Sequence, residues 1–362
     1  MKQPVLKVLG LGGGGCNAIN RMIELGLSGV EFIAANTDHQ SLATSLAPVK
    51  IQLGPKVTRG LGAGGNPEVG NAAARESARE LAEALRGADM VFLTAGMGGG
   101  TGTGSIAVAA ELARRSGAVT TAIVTTPFAF EMGRRQRNAS QGLARLTQHT
   151  DTLIAIPNDR LLQLQQTAHL SLDVAFRVAD DVLRQAVQGI TELVTRPGLI
   201  NVDFAHIRYM FKGGGGAFLA LGYGEGRDKA LHALHAALHH PLLEGASLDV
   251  ARGVLVNFTG GSDLTLHEIH AAIADLQSRI PEGTELILGV SQEESMEGRV
   301  QCTVVITGLG ARPVPLPAVP ASTPAAAPVP QKPPQTPRKR PAVSPSPLEL
   351  EIPAYLRRAA LG

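Results

Sequence analysis

"AGMGGGTGTGS", residues 95–105, joins an apolar run, "ADMVFLTAG" (88–96), to an alanine-rich one, "SIAVAAELARRSG" (105–117). The first reads as a buried strand and the second as a helix. Between them glycine leaves the backbone bare. Its amides, with the hydroxyls of Thr101 and Thr103, can wrap an anion at the positive end of the helix.

A second loop of this kind opens the chain. "GLGGGG" (10–15) follows the strand-like "VLKVLG" (5–10) and precedes a helical "CNAINRMIELG" (16–26). It fits G-x-G-x-x-G, and Asp38 stands at the end of the next strand, "VEFIAAN" (30–36). That fingerprint describes a nicotinamide or flavin site, with pyrophosphate on the helix and the Asp on the ribose. A tight strand–helix turn also accounts for the first loop taken alone. Two glycine loops on neighbouring strands suit a chain of phosphates gripped from both sides, whereas a dinucleotide needs only the first. A third loop, "RGLGAGGNPE" (59–68), has a backbone able to close over a terminal phosphate.

The first half alternates strand and helix. "PEVGNAAARESARELAEAL" (67–85) reads as one helix with Pro67 at its start. "AVTTAIVTT" (118–126) and "DTLIAIPN" (151–158) read as strands around a helical "RQRNASQGLARLTQH" (135–149). This order predicts a Rossmann-like parallel sheet covered on both faces. A long helical pattern over 171–194 is a spine candidate. A second unit follows, with strands at 252–260, 284–291 and 300–310 and helices at 225–239 and 265–279.

Composition bounds the function. The 362 residues are 44% hydrophobic, with no Trp and three Tyr, so the core is aliphatic. Two cysteines give no disulfide framework and fit a reducing cytosol. No secretory signal is read, and the glycine-rich middle of 90–110 argues against a membrane span there. Residues 311–362 hold seven Lys/Arg and two Glu, so the overall +2 splits into +5 there and −3 over 1–310. A net-negative folded part argues against nucleic acid as partner. Thirteen of the 37 residues in 311–347 are proline. That composition predicts a disordered linker reaching on the order of 115 Å in polyproline form. It ends in "LELEIPAYLRRAALG" (348–362), which reads either as a docking peptide or as a frayed tail.

Ten motifs, in order, carry a resemblance to the tubulin/FtsZ family: "GLGGGGCNAINRM", "NTDHQSL", "TRGLGAGGNPEVG", "AGMGGGTGTG", "TPFAFE", "IPNDRLL", "AFRVADDVL", "QGITELVTRPGLINVDFA", "ARGVLVNFTGG" and the terminal "EIPAYLRRAA". The resemblance covers residues 5–310 and 348–358, and it implies a GTPase that polymerises at the division site. The implied cofactors are GTP or GDP and Mg²⁺. Gly13, Gly14, Gly15, Cys16 and Asn17 would contact phosphates and sugar. Ala63, Gly64 and Gly65 would lie near the γ-phosphate. Gly98, Gly99, Gly100, Thr101, Gly102 and Thr103 would form the main cradle. Glu131 and Arg135 would flank ribose and phosphates, and Phe176 would pack on the base. Asp180, with Asp181, would read guanine's two adjacent donors. The implied organisation is a GTP-binding domain over 1–170, a central helix and connection over 171–200, and a smaller α/β domain over 201–310. The linker (311–347) and docking peptide (348–362) follow.

"NVDFAHIR" (201–208) resembles the loop that enters the nucleotide pocket of the next subunit in a head-to-tail filament. Asn201, Asp203 and His206 are its implied catalytic residues. The family pattern is N-x-D-F-A-D, so His206 replaces a second carboxylate. The substitution predicts slower or pH-sensitive turnover with assembly retained. A filament protein with weak or no hydrolysis remains the alternative, and a nicotinamide oxidoreductase is the reading from the first loop alone. The resemblance also implies membrane-tethering division proteins as partners of 348–358, no direct membrane insertion and a cytoplasmic location. His232, His235 and His239 share a helical face at metal-like spacing, which reads more simply as a solvated surface.

Overall fold

A computed structural model describes residues 3–131, 133–161, 172–195, 199–200, 202–212, 215–243 and 248–308, without the side chains of 161, 172, 173 and 242. The strands are β1 (Leu6–Leu11), β2 (Glu31–Asn36), β3 (Val49–Gln52), β4 (Met90–Gly96) and β5 (Val119–Thr126). They continue with β6 (Thr152–Pro157), β7 (Gly215–Glu225), β8 (Gly253–Gly260), β9 (Glu285–Gln292) and β10 (Arg299–Thr307). The helices are α1 (Gly12–Glu24), α2 (His39–Ala43), α3 (Pro55–Thr58), α4 (Pro67–Glu76), α5 (Ala78–Leu85) and α6 (Thr101–Arg115). Then come α7 (Arg134–Thr147), α8 (Asn158–Leu161), α9 (Leu172–Thr195), α10 (Phe204–Phe211), α11 (Lys229–Leu238) and α12 (Leu266–Gln277).

The strands join in the order β3-β2-β1-β4-β5-β6-β7-β10-β8-β9. Pairing is parallel from β3 to β7 and between β8 and β9. Only β10 runs antiparallel to its neighbours β7 and β8. The strands that begin the chain are apolar on both faces, as a sheet covered on both sides requires. In β4, Met90 and Phe92 face one core while Val91, Leu93 and Ala95 face the other. The second core lies under α4 to α7.

Helix α9 carries the first core across both halves. Its Ala179, Val182, Leu183, Ala186, Val187, Ile190 and Leu193 recur at helical spacing and meet Phe92, Ile123 and Ile154 as well as Leu255, Ile287 and Val305. Each larger side chain contributes about 1.5–3 kcal/mol by burial. The long helix is therefore a spine by packing, as its sequence pattern predicts.

Several elements differ from the sequence reading. The 67–85 helix breaks at Ser77 (φ −96°, ψ 22°). There the Ser77 hydroxyl accepts the Gly54 N–H and donates to the Gln52 carbonyl. Helices α1 and α6 begin at Gly12 and Thr101, so both glycine runs extend into first turns of helix. The short edge strand β3 and the long strand β7 have no counterpart in the sequence pattern. Glycines at 216, 222 and 224 hide β7, yet the last two are what lets α11 pack on it. A Cβ on Gly222 would lie 2.1 Å from the Ala233 carbonyl oxygen, and one on Gly224 2.0 Å from that of Lys229.

The 311–347 linker, the 348–362 peptide and residues 162–171 and 196–198 lie outside the described residues. Among those described, no helix is long and apolar enough to cross a membrane.

Gly224→Ala is expected to lower the thermal midpoint by several degrees, because backbone on both sides must separate at a cost of about 1–3 kcal/mol. Circular dichroism melting reads this; an unchanged midpoint contradicts the close packing.

Candidate functional site

A cavity of about 310 Å³ opens at the carboxyl ends of the central strands, where Leu11, Gly96, Thr125, Thr126 and Asn158 reach its wall. Helices α1 and α6 both point their first turns into it through Gly13, Gly14, Thr101 and Gly102. Neither helix has a side-chain cap at its N-terminus. Their first-turn N–H groups and positive dipole ends therefore remain available to an anionic ligand. The two ends touch backbone to backbone. Gly12 sits at φ +70°, and a Cβ there would lie 2.7 Å from the Gly102 nitrogen.

Eleven of the expected nucleotide residues line this cavity: Gly13, Gly14, Asn17, Gly99, Gly100, Thr101, Gly102, Glu131, Arg135, Phe176 and Asp180. Thr101 shares a 2.6 Å hydroxyl contact with buried Thr37. Arg135 pairs with Glu131 at 3.0 Å, and Glu131 also accepts the Phe128 N–H at 2.9 Å. Phe176 meets buried Phe128 edge-on at 5.6 Å, which leaves the exposed Phe176 ring to receive a flat ligand.

The other expected residues support the wall. Gly15 backs onto β4, where a Cβ would lie 2.4 Å from the Thr94 oxygen. The Cys16 thiol faces the core at 3.9 Å from the Ala35 carbonyl, and burial pushes it up to about 12. A ligand contact from Cys16 is therefore restricted to its backbone. The Thr103 hydroxyl accepts the Gly98 N–H at 2.8 Å, so it braces the turn and does not face an anion. Buried Ala63 abuts Gly100, while Gly64 and Gly65 are exposed in the left-handed region beside it.

The two acidic residues of α9 separate. Asp181 accepts from Arg184 at 2.7 Å and Gln185 at 2.6 Å along its own helix. Asp180 alone lines the cavity. Burial pushes its carboxyl up to about 7, against the opposing pull of Arg21. Asp38, the ribose residue of the nicotinamide reading, is absent from the wall. Its carboxylate accepts the N–H groups of Gln40 and Ser41 and caps α2.

Two wall residues escape the sequence reading. Thr126 and Asn158 are buried, yet the Thr126 Oγ1 and Asn158 Oδ1 atoms have no hydrogen-bond partner among the described residues. Unpaired buried polar atoms are uncommon, and these two belong to residues of the cavity wall. Their signal is position: each stands at the carboxyl end of a buried strand.

Asp203 and His206 stand elsewhere. Both are exposed and neither lines the cavity. Asp203 caps α10, accepting the Ala205 N–H at 2.9 Å. The last residue of that helix is tied to the amino end of β6, where the Thr152 hydroxyl donates to the Phe211 carbonyl at 2.8 Å. Asn201 lies outside the described residues.

A metal fits only in a limited way. Among the described residues no three His, Cys, Asp or Glu groups converge. Glu131 is already engaged, so a Mg²⁺ at the cavity would be held mainly by phosphate oxygens and water. On α11, His235 meets a carboxylate that sequence reasoning does not supply, Asp275 at 2.9 Å, itself bound by Arg279.

Comparison with known proteins agrees with this geometry. The Tubulin/FtsZ family GTPase domain matches residues 5–166, and the FtsZ family C-terminal domain matches 215–310. An empty FtsZ dimer from M. jannaschii is 44% identical, with 86% of this chain and 90% of that one covered at a TM-score of 0.81. A point mutant of FtsZ from the same organism is 45% identical, covering 84% and 91% at 0.80. CetZ2 from Haloferax volcanii, a GTPγS-bound protofilament, is 21% identical, covers 83% and 92% at 0.71, and is similar in fold.

Asp180 sets a pH test. Its folded value of about 7 exceeds the ordinary 3.8, so the stability it confers is present below the lower value and is lost as pH rises through the higher. Nucleotide-free Asp180→Asn should gain thermal stability relative to the parent between about pH 4 and about pH 8. A difference that stays constant over that range contradicts the buried carboxyl.

Proposed function

The chain belongs to the tubulin/FtsZ family, and from that premise we propose a cell-division GTPase that assembles head to tail and hydrolyses GTP at each junction. One observation supports it above the others. The cavity lies at the carboxyl ends of the strands and α10 at the amino end of β6. Six residues of β6 put about 20 Å between those ends, and Asp203 is absent from the cavity wall, which supports its serving the cavity of another copy. A second copy stacked in the same direction closes that distance. Each copy then gives one end and receives the other, which generates an open filament.

In this reading the first-turn N–H groups of α1 and α6 hold the phosphates, and the 59–66 loop adjoins the terminal one. Phe176 packs on the base, and deprotonated Asp180 accepts guanine's two adjacent N–H groups. Mg²⁺ supplies charge neutralisation on the phosphate oxygens. Docking excludes bulk solvent and aligns a water with the γ-phosphorus. Asp203 polarises that water, Asp203 or His206 takes its proton, and the bond to the bridging oxygen breaks to leave GDP. Residues 348–358 would dock on membrane-tethering division proteins, which places the filaments in the cytoplasm at the division site.

A second reading keeps assembly and removes most hydrolysis. It is favoured by His206, an exposed imidazole where the family carries a carboxylate.

Phosphate release per chain should rise with protein concentration, because the catalytic group comes from a neighbour; a rate per chain that is flat across concentrations sinks the shared-site reading. Asp203→Asn preserves the cap, since Asn caps as well as Asp. It should lower turnover at least tenfold while filaments still pellet. His206→Asp restores a second carboxylate and should raise turnover and change its pH profile. An unaltered rate and pH profile removes His206 from the mechanism.

A further inference from the structure

The Asn138 amide joins two glycine loops that belong to different parts of the cavity rim. Its Nδ2 donates to the Gly65 carbonyl at 3.2 Å and to the Gly98 carbonyl at 3.1 Å. Both partners can only accept, so the NH₂ group must face them, and the two N–H bonds are spent one on each loop. Gly65 belongs to the loop that adjoins the terminal-phosphate position. Gly98 opens the turn that leads into α6.

The rest of α7 gives Asn138 a fixed base. Arg135, one turn earlier, lines the cavity. Gly142, one turn later, lets the helix rest on Met97 and Thr103 of the cradle. Two turns on, Arg145 pairs with Glu68 of α4 at 2.6 Å, which anchors the far end of the 59–68 segment. These positions share one face of α7. Between Asn66, which caps α4, and the Gly60–His39 hydrogen bond, the exposed turn at Gly64 and Gly65 has one side-chain tie to the cradle among the bonds described, and it is Asn138.

We propose that Asn138 is a positioning residue that couples the 59–66 loop to the phosphate cradle and so sets the preference for a nucleoside triphosphate over a diphosphate. The proposal rests on the guanine-nucleotide reading of the cavity. Losing the tie frees the loop that adjoins the third phosphate. It leaves the α1 and α6 first turns, which hold the first two phosphates, in place. Without the tie, a triphosphate must itself order the loop and loses affinity by that amount.

Calorimetry of the full chain with GDP and with a non-hydrolysable GTP analogue tests this. For Asn138→Ala we expect about tenfold weaker analogue binding, from two lost hydrogen bonds, and less than a twofold change for GDP. Asn138→Asp, which has no donor, should lose at least as much, and Asn138→Gln, which keeps both donors, should recover part of the preference. Equal losses for both nucleotides would reduce Asn138 to a structural residue and overturn the proposal, as would no loss for either. If the parent chain binds neither nucleotide, the reading of the cavity fails first, and the proposal fails with it.

Discussion

The contact on which the site depends is the meeting of α1 and α6 at Gly12 and Gly102. Two helix N-termini carry partial positive charge and would repel each other if brought together without purpose. Here they touch through bare backbone, and neither is capped by a side chain. The unsatisfied N–H groups of both helices therefore converge on one small volume. Only an anion satisfies them together, and a chain of phosphates satisfies more of them than a single one. The strand order follows from the same demand. β1 and β4 must be neighbours for their following helices to converge, and they pair directly.

The base end of the cavity solves a different problem. Phe176, backed by buried Phe128, supplies flat apolar area in a chain that has no tryptophan. Asp180 adds a carboxyl that burial holds neutral up to about pH 7. A ligand with two adjacent donors stabilises the charged form and draws the proton off. A ligand without them leaves the buried carboxyl protonated. If the cavity takes a nucleotide as proposed, discrimination among bases would draw on the desolvation that destabilises the empty site.

Much of this is legible in the sequence because short-range pattern dictates it. Strand periodicity locates β1, β2, β4, β5 and β6, and helical spacing locates α9. Glycine misleads in both directions. At Gly12–Gly15 it reads as loop where the chain is already helix, and at Gly222 and Gly224 it hides a strand whose glycines answer to the backbone of α11. Ser77 breaks a helix that propensity favours, through bonds to residues more than twenty positions away. Site residues divide along the same line. Backbone-bearing positions such as Gly13 and Gly102 are readable from motif. Roles set by tertiary partners are not: Asp38 goes to a cap, Asp181 to its own helix, and Thr103 to a turn, while Thr126 and Asn158 are buried in the cavity wall.

In the proposed mechanism Asp203 would serve stability and reaction at once. As N-cap it uses Oδ1 on the Ala205 N–H, which fixes the carboxylate against the first turn of α10. The second oxygen stays free and exposed. The cap removes rotamer freedom that a catalytic carboxylate would otherwise lose on docking, so the group is preorganised before a neighbour arrives. His206 stands three residues on, where i and i+3 share a face. An imidazole there can pass a proton with Asp203 but adds no negative charge when neutral. In the proposed mechanism assembly, which depends on two fitting ends, would tolerate that exchange, and its effect would fall on water activation, which depends on charge near the γ-phosphorus.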